Sequence, residues 1–210
     1  KISVGRIVDG KVVYMGDALV RPYHLSYPFV YAYRGDIYMI PETAKRRQIE
    51  IWKAVDFPLG WTLHKTVLPG SSCADTTIFE HHGSWWMFTS ISIDSYDDQC
   101  SEFHVFRVDS PLLNYIEPHE LNPVITDART ARNAGRISVR DGKLTRLAQN
   151  NAYHYGYGFS LMEIEHLTLN EYQEKCLYSA KPGFAPGIGS THHLDELDGI
   201  HIFDGLRELG

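Results

Sequence analysis

The chain has 210 residues, 43% of them hydrophobic and 12% aromatic, and a formal net charge of −6. That length and apolar content suffice for one domain, 1–210, with a sizeable core. The acidic balance excludes the electrostatic footprint of a nucleic-acid binder, and no apolar run is long enough for a membrane span. The densest basic cluster, Lys45-Arg46-Arg47, reads as a solvated turn. Cys73, Cys100 and Cys176 are odd in number and lack CxxC spacing. They predict free thiols in a reducing, cytoplasmic compartment, with neither a disulfide framework nor a zinc site. The start at Lys1 carries no Met and no signal-peptide pattern, as expected of a processed, truncated or fragment start.

In chain order, Val12-Val13-Tyr14 and Ala18-Leu19-Val20 read as outer strands. Tyr27-Pro28-Phe29-Val30-Tyr31, then Gly35-Asp36, then Ile37-Tyr38-Met39-Ile40 reads as a β-hairpin. Ile49 to Ala54 alternates at period two, as a third strand would. A proline-bearing connection at Phe57-Pro58 and an outer strand at Lys65 to Leu68 follow. The same order then repeats. Asp75-Thr76-Thr77-Ile78-Phe79, Gly83 and Trp85-Trp86-Met87-Phe88 form the second hairpin. Phe103 to Val108 alternates, Ser110-Pro111 connects, and Pro123-Val124-Ile125 is the predicted outer strand. A fainter third copy runs from Gly135 through Asp141-Gly142 to Thr145. Leu167 to Leu177 is the best helix candidate, with Thr168 and Glu171 at capping-box spacing. A fourth, partial copy runs from Leu194 through Asp198-Gly199 to Phe203.

The turn glycines Gly35, Gly83, Gly142 and Gly199 recur at intervals of about 50 to 60 residues, the period of β-propeller blades. The fold class is therefore all-β, a propeller. Three full units are visible, with remnants at both ends. A closed ring typically takes four or more blades. The N-terminal end is thus expected to lack most of its first blade, with Gly5 to Val20 surviving. A dimer or a partner domain would cover the open edge.

In a propeller the residues ahead of each hairpin converge on the axis. They are His24, Ser26 and Tyr27; Asp75 and Thr76; Asp127, Arg129, Arg132 and Asn133; and Thr191, His192, His193 and Asp195. Glu42 leaves the far end of the first hairpin. Carboxylates, arginines, imidazoles and aromatics together suit a sugar or sugar-phosphate ligand. Plainer roles stand beside these. Asp75 would also serve as a turn cap, His192-His193 as surface turn residues, and Arg129 and Arg132 as ion-pair partners of Asp127. Trp85-Trp86 and Tyr153 to Tyr157 would also serve as packing. Neither HExxH, GxSxG nor a strand-linked GxGxxG is present, so neither a metal nor a cofactor is expected.

The phrases His24 to Val30, Ile37 to Thr43, Asp75 to Phe79, Trp85 to Thr89, Asn122-Pro123-Val124, Ala131 to Gly135 and His192-His193 with Asp198-Gly199 together resemble one known family. It is that of the N-terminal domain of plant glucosamine inositolphosphorylceramide transferases and its bacterial relatives, some attached to formyltransferase-like domains. The resemblance implies a five-bladed propeller similar to glycoside hydrolase family 43. It also implies an inverting arrangement in which Asp75 takes the place of the residue that tunes the acid. The base would lie on the blade missing here. The acid position falls near Arg132-Asn133-Ala134-Gly135, where there is no Glu, and an Arg cannot deliver a proton near neutral pH. His192 matches a closing-blade histidine.

These readings give three functional expectations. The first is a carbohydrate-related domain that binds a sugar, sugar phosphate or nucleotide sugar through Ser26, Tyr27, Asp127, Arg132, Asn133, His192 and His193. It would act within or beside a glycan-modifying enzyme. The second is a glycoside hydrolase with displaced catalytic carboxylates, Glu42 and Asp75. The third is a noncatalytic protein-interaction propeller.

Overall fold

A computed structural model describes residues 1–92, 98–181, 183, 186–197 and 199–207; the turn residue Asp198 singled out above lies outside them. The chain divides into two compact units, 1–74 and 75–210. Both are built from strands, and no α-helix occurs among the described residues. Repeated two-residue turns set the architecture. Asp9-Gly10, Arg34-Gly35, His82-Gly83 and Asp141-Gly142 each place both residues at positive φ. That is the type I′ conformation, whose twist matches antiparallel strands.

In the first unit, β1 (Ile2–Val8) and β2 (Lys11–Leu19) form a hairpin. The two outer strands expected at 12–14 and 18–20 are one strand. Its pattern breaks because Val4 pairs with Gly16 and Gly5 with Tyr14, leaving Met15 as a bulge. A four-stranded meander follows: β3 (Ser26–Tyr33), β4 (Asp36–Glu42), β5 (Ile49–Asp56) and β6 (Gly60–Val67). Ile2 and Leu19 pack with Leu25, Met39 and Trp52 to make the core of this unit. The alternation read at 49–54 does not mark a half-exposed strand, because Ile49, Glu50, Ile51 and Trp52 are all buried. Glu50 tolerates burial because its carboxylate accepts hydrogen bonds from Tyr23 Oη, Gln48 Nε2 and Trp52 Nε1.

The second unit takes over within β7 (Ser72–His81), which pairs into a sheet with β8 (Ser84–Ser92), β9 (Phe103–Val108) and β10 (Ile116–Pro118). The outer strand expected at 123–125 is only half of that edge. Asn122 explains the split, since its side chain binds both Val105 N and Val105 O, at 2.9 and 2.7 Å. On one side of Asn122, β10 pairs with residues 106–108. On the other, Val124 N and Ile125 O bond Phe103 at 2.9 Å each.

A five-stranded sheet follows: β11 (Arg132–Asn133), β12 (Ser138–Arg140), β13 (Lys143–Asn150), β14 (Gly158–Leu167) and β15 (Tyr172–Ala180). The helix expected over 167–177 is absent. Leu167 ends β14, and Thr168 caps a tight turn instead, its Oγ1 accepting Glu171 N at 3.0 Å. Two strand pairs close the described chain, β16 (Ile188–Ser190) with β19 (Leu206–Arg207) and β17 (Leu194–Leu197) with β18 (Ile200–Phe203).

Arg146 overrides the helical capping signal. Its side chain is fully buried on β13 and forks onto Glu174 of β15 at 2.9 and 2.6 Å. It also donates to Thr130 O at 2.7 Å and lies 4.2 Å from the Phe103 ring centroid. Tyr172 Oη donates to Glu174 at 2.6 Å, and burial pushes the Tyr172 phenol well above its ordinary range. Placing Tyr172 and Glu174 together under Arg146 requires the two-residue period of a strand. Around them Trp86, Phe88, Phe103, Val105, Leu144 and Ile164 form the core of the unit.

Removing one partner of such a pair leaves a buried charge, whereas replacing both with apolar groups does not. Arg146→Met is therefore expected to destabilise the protein by about 3–5 kcal/mol in urea unfolding. Arg146→Met with Glu174→Leu should recover most of that loss.

Candidate functional site

The site begins with a strained residue. Asp75 sits inside β7 at φ 51°, and Tyr27 occupies the matching place in β3 at φ 43°. Each stands eight residues before its turn glycine, Gly83 or Gly35. A non-glycine residue in the left-handed region costs roughly 1–2 kcal/mol, and such outliers cluster at functional positions. Asp75 is accordingly no turn cap. Its side chain is 3% exposed, and its Oδ2 accepts Arg132 Nε at 2.6 Å and Gln149 Nε2 at 2.8 Å. Its carbonyl accepts Asn133 Nδ2 at 2.9 Å. Three strands, β7, β11 and β13, thus meet on one residue.

Arg132, 8% exposed, is the cation that this cluster holds. Its guanidinium also reaches Cys100 Sγ at 3.9 Å and lies 5.4 Å from the Tyr155 ring centroid. Burial pushes the Cys100 thiol up, against the pull of Arg132. Tyr155, exposed on the loop between β13 and β14, packs edge-to-face with the His192 ring, their centroids 5.0 Å apart.

Backbone bonds bring residues 191–194 alongside β11. Leu194 N donates to Ala134 O at 2.8 Å, and Thr191 N to Gly156 O at 2.8 Å. Gly135 permits the approach, since a Cβ there would sit 2.0 Å from Leu194 O. Asp204, between β18 and β19, fixes the two histidines. Its Oδ1 accepts His192 N at 2.9 Å and His193 N at 2.8 Å, and its Oδ2 pairs with His192 Nδ1. Burial works to raise the Asp204 carboxyl, yet the bonds from the His192 ring and the two backbone amides hold it at about 2. Burial pushes His193 down, opposed by Asp195, Asp75 and Asp204. Arg136 binds Asp195 at 2.8 Å and Arg140 binds Glu196 at 2.9 Å, fastening β17 beside β12.

Of the residues expected to converge, Asp75, Arg132 and Asn133 are in direct contact, and His192 joins them through Tyr155. Asp127 is engaged by Arg129 at 2.6 Å on an exposed surface, so only one of the two arginines considered for it is its partner. Ser26 and Glu42 pair across β3 and β4 in the first unit, with Tyr27 beside Ser26. Gln149 and Asp204 were not singled out in the sequence, while Cys100 was read as a free thiol and Tyr155 only within the aromatic stretch 153–157. Asp204 carries no spacing signal, and Gln149 announces itself only by falling opposite Arg132 in the register.

The family model for the N-terminal region of glucosamine inositolphosphorylceramide transferase 1 matches residues 1–182. The glucosamine inositolphosphorylceramide transferase 1 of Oryza sativa subsp. japonica is 36% identical over 203 residues, which is 92% of this chain and 27% of that protein. This chain belongs to that family. The family member described here thus spans about a quarter of the length of that curated relative. Among solved structures, an exo-β-1,3-galactanase from Clostridium thermocellum matches with a TM-score of 0.57 at 10% identity, over 95% of this chain and 44% of the enzyme. A family 117 glycoside hydrolase from Zobellia galactanivorans matches with a TM-score of 0.55 at 14% identity, over 87% and 66%. The family domain is therefore all-β with the glycoside-hydrolase-like propeller fold, the propeller being expected from its repeat and the hydrolase-like type from the family resemblance. No helix among the described residues is long and apolar enough to cross a membrane.

Two outcomes test this geometry. A Cβ at Gly135 must displace backbone, so Gly135→Ala is expected to cost about 1–3 kcal/mol in urea unfolding. The depressed Asp204 carboxyl stabilises the fold above its unfolded value of about 4, a contribution lost as pH falls from there towards 2. Near-ultraviolet dichroism should follow that acid transition, and Asp204→Asn should remove its component while leaving the neutral-pH spectrum intact.

Proposed function

We propose that this domain binds a sugar bearing an anionic group, a sugar phosphate or nucleotide sugar, at the Arg132 cluster, and serves a glycan-modifying enzyme. The observation that carries this reading is the buried guanidinium of Arg132, aimed by Asp75 and Gln149 beneath the exposed ring of Tyr155. A guanidinium held in one orientation suits bidentate recognition of phosphate, and a tyrosine ring suits the apolar face of a sugar. The name of the relatives, transferases of glucosamine to an inositolphosphoryl lipid, supports an aminosugar as the neutral part. The family's hydrolase-like fold supports a carbohydrate ligand in general.

Plain glycoside hydrolysis has less support. It needs a carboxyl group able to give or take a proton at the sugar. The Oδ2 of Asp75 is engaged by two donors, and the residue is almost completely enclosed. Its chemistry is to hold Arg132.

Titration calorimetry with glucosamine, glucosamine 1-phosphate and a uridine-diphosphate-linked aminosugar tests the proposal. The two phosphorylated ligands are expected to bind and the neutral sugar to bind at least tenfold more weakly. Arg132→Lys should weaken the phosphorylated ligands by on the order of tenfold or more, because it keeps the charge and loses the fork. Equal affinity for neutral and phosphorylated sugars would overturn the reading.

A further inference from the structure

The chain is acidic overall, yet Arg21, Lys45, Arg46 and Arg47 are all exposed in the first unit. We propose that Arg21 and Arg46 form a second anion site, built wholly within residues 1–74, that binds the phosphomonoester of a small molecule or of a lipid headgroup.

The argument starts from Glu50. Its carboxylate is buried on β5 and accepts Tyr23 Oη at 2.9 and 3.1 Å, Gln48 Nε2 at 3.0 Å and Trp52 Nε1 at 3.1 Å. All three donors are neutral. A buried carboxylate bonded only to neutral donors gains from positive potential further out. The two aromatic donors carry it. The Arg21 guanidinium carbon lies 4.4 Å from the Trp52 ring centroid, and that of Arg46 lies 5.3 Å from the centroid of Tyr23. Burial and Glu50 push the Tyr23 phenol up, while Arg21 and Arg46 both pull it down. Both cations therefore act on one phenol.

Neither guanidinium touches Glu50 itself. A cation serving only to offset that charge would bond the carboxylate, where Coulomb attraction is greatest. Stacked on a ring instead, a guanidinium is held in one orientation and keeps its in-plane N–H groups for an acceptor. Arg21 donates to Val20 O at 2.8 Å through one of these groups. Arg46 makes no ion pair among the described residues. The supports of both are stiff. Arg21 precedes Pro22, which restricts its backbone. The turn carrying Arg46 is pinned, not loose as a solvated turn would be. Thr43 O accepts Arg46 N at 2.8 Å, and Ala44 O accepts Arg47 N at 2.9 Å. Gly70 N donates to Arg47 O at 2.7 Å, and Arg47 Nε to Gly70 O at 3.0 Å. Arg47 stands at φ 51° within these bonds, the kind of held outlier that clusters at ligand sites.

The charge count selects the ligand. Two oriented forks, with Lys45 beside Arg46 in the chain, outnumber the one carboxylate in contact with their rings. A phosphomonoester carries nearly two charges and three terminal oxygens, an acceptor for each fork. A carboxylate carries one charge and suits a single fork.

Nuclear magnetic resonance of the arginine side-chain Nε–H groups tests this in the 210-residue chain, titrated with glycerol 1-phosphate. The Arg21 and Arg46 signals are expected to move together along one saturation curve. Arg46→Gln should weaken the binding read at Arg21 by on the order of tenfold, and Arg21→Gln should do the same to the binding read at Arg46. Both residues are exposed, so urea unfolding of each variant should stay close to that of the unaltered chain. Sedimentation with vesicles of phosphatidylcholine alone, or of equal parts phosphatidylcholine and phosphatidic acid, separates the two sources. Response to glycerol 1-phosphate assigns the site to a free phosphomonoester. Sedimentation only with phosphatidic acid, lost in Arg21→Gln and Arg46→Gln, assigns it to a lipid headgroup. Absence of both responses overturns the proposal, as do separate saturation curves or an Arg21 response indifferent to Arg46→Gln. Movement of the Arg132 signal alone also overturns it and leaves the reading of the Arg132 cluster standing.

Discussion

A single buried carboxylate organises the second unit. Asp75 is the point where β7, β11 and β13 meet, and it holds Arg132 by Nε and Gln149 by its amide. Neither charge would be stable there alone, because burying an unpaired ion costs several kcal/mol. The pair fixes where the guanidinium points, which matters more for function than any net gain in stability. Arg146 and Glu174 repeat the device one layer away, with a tyrosine and a phenylalanine closing it. The interior is thus specified by oriented polar groups as well as by apolar volume. Thr76 bonded to Thr89 at 2.8 Å, between neighbouring strands, belongs to the same pattern.

Much of the fold was legible because its signals are local. A two-residue turn ending in a glycine at positive φ marks several of the hairpins, as at Arg34-Gly35, His82-Gly83 and Asp141-Gly142. The third strands at 49–56 and 103–108 were legible by order and by alternation, although the alternation did not bring exposure. Glu50 and His104 look like solvent-facing positions in an alternating strand, yet both are buried. Period alone cannot separate a polar residue facing water from one facing a donor. The segment 167–177 failed for a related reason. Its capping spacing is real and Thr168 does cap, but the partners of Tyr172 and Glu174 lie far away in sequence.

The site divides along the same line. Asp75, Arg132 and Asn133, which touch one another, were legible as a group because each stands at a set place in a repeated phrase. Asp127 was grouped with them by proximity in sequence and instead engages Arg129 two residues on. Asp204 was invisible, since its importance comes from backbone amides of residues 192 and 193 that fold back onto it. Gln149 was hidden likewise, because only its register opposite Arg132 brings it to Asp75.

The two-residue turns have a consequence for how the molecule opens. Hairpins such as those around Gly35, Gly83 and Gly142 join strands adjacent in sequence, so their contacts form early and cost little loop closure. Residues 191–194 are different. They reach β11 and the loop at Gly156 across long stretches of chain, through isolated backbone bonds to Ala134 and Gly156. Segments held in this way open at lower free energy than core strands, and their amide hydrogens exchange first. The imidazoles of His192 and His193 are thus carried by long-range bonds to Ala134, Gly156 and Asp204 and not by a hairpin. Anything that bridges them to Arg132 would slow exchange at Thr191 and Leu194 while leaving the hairpins unchanged.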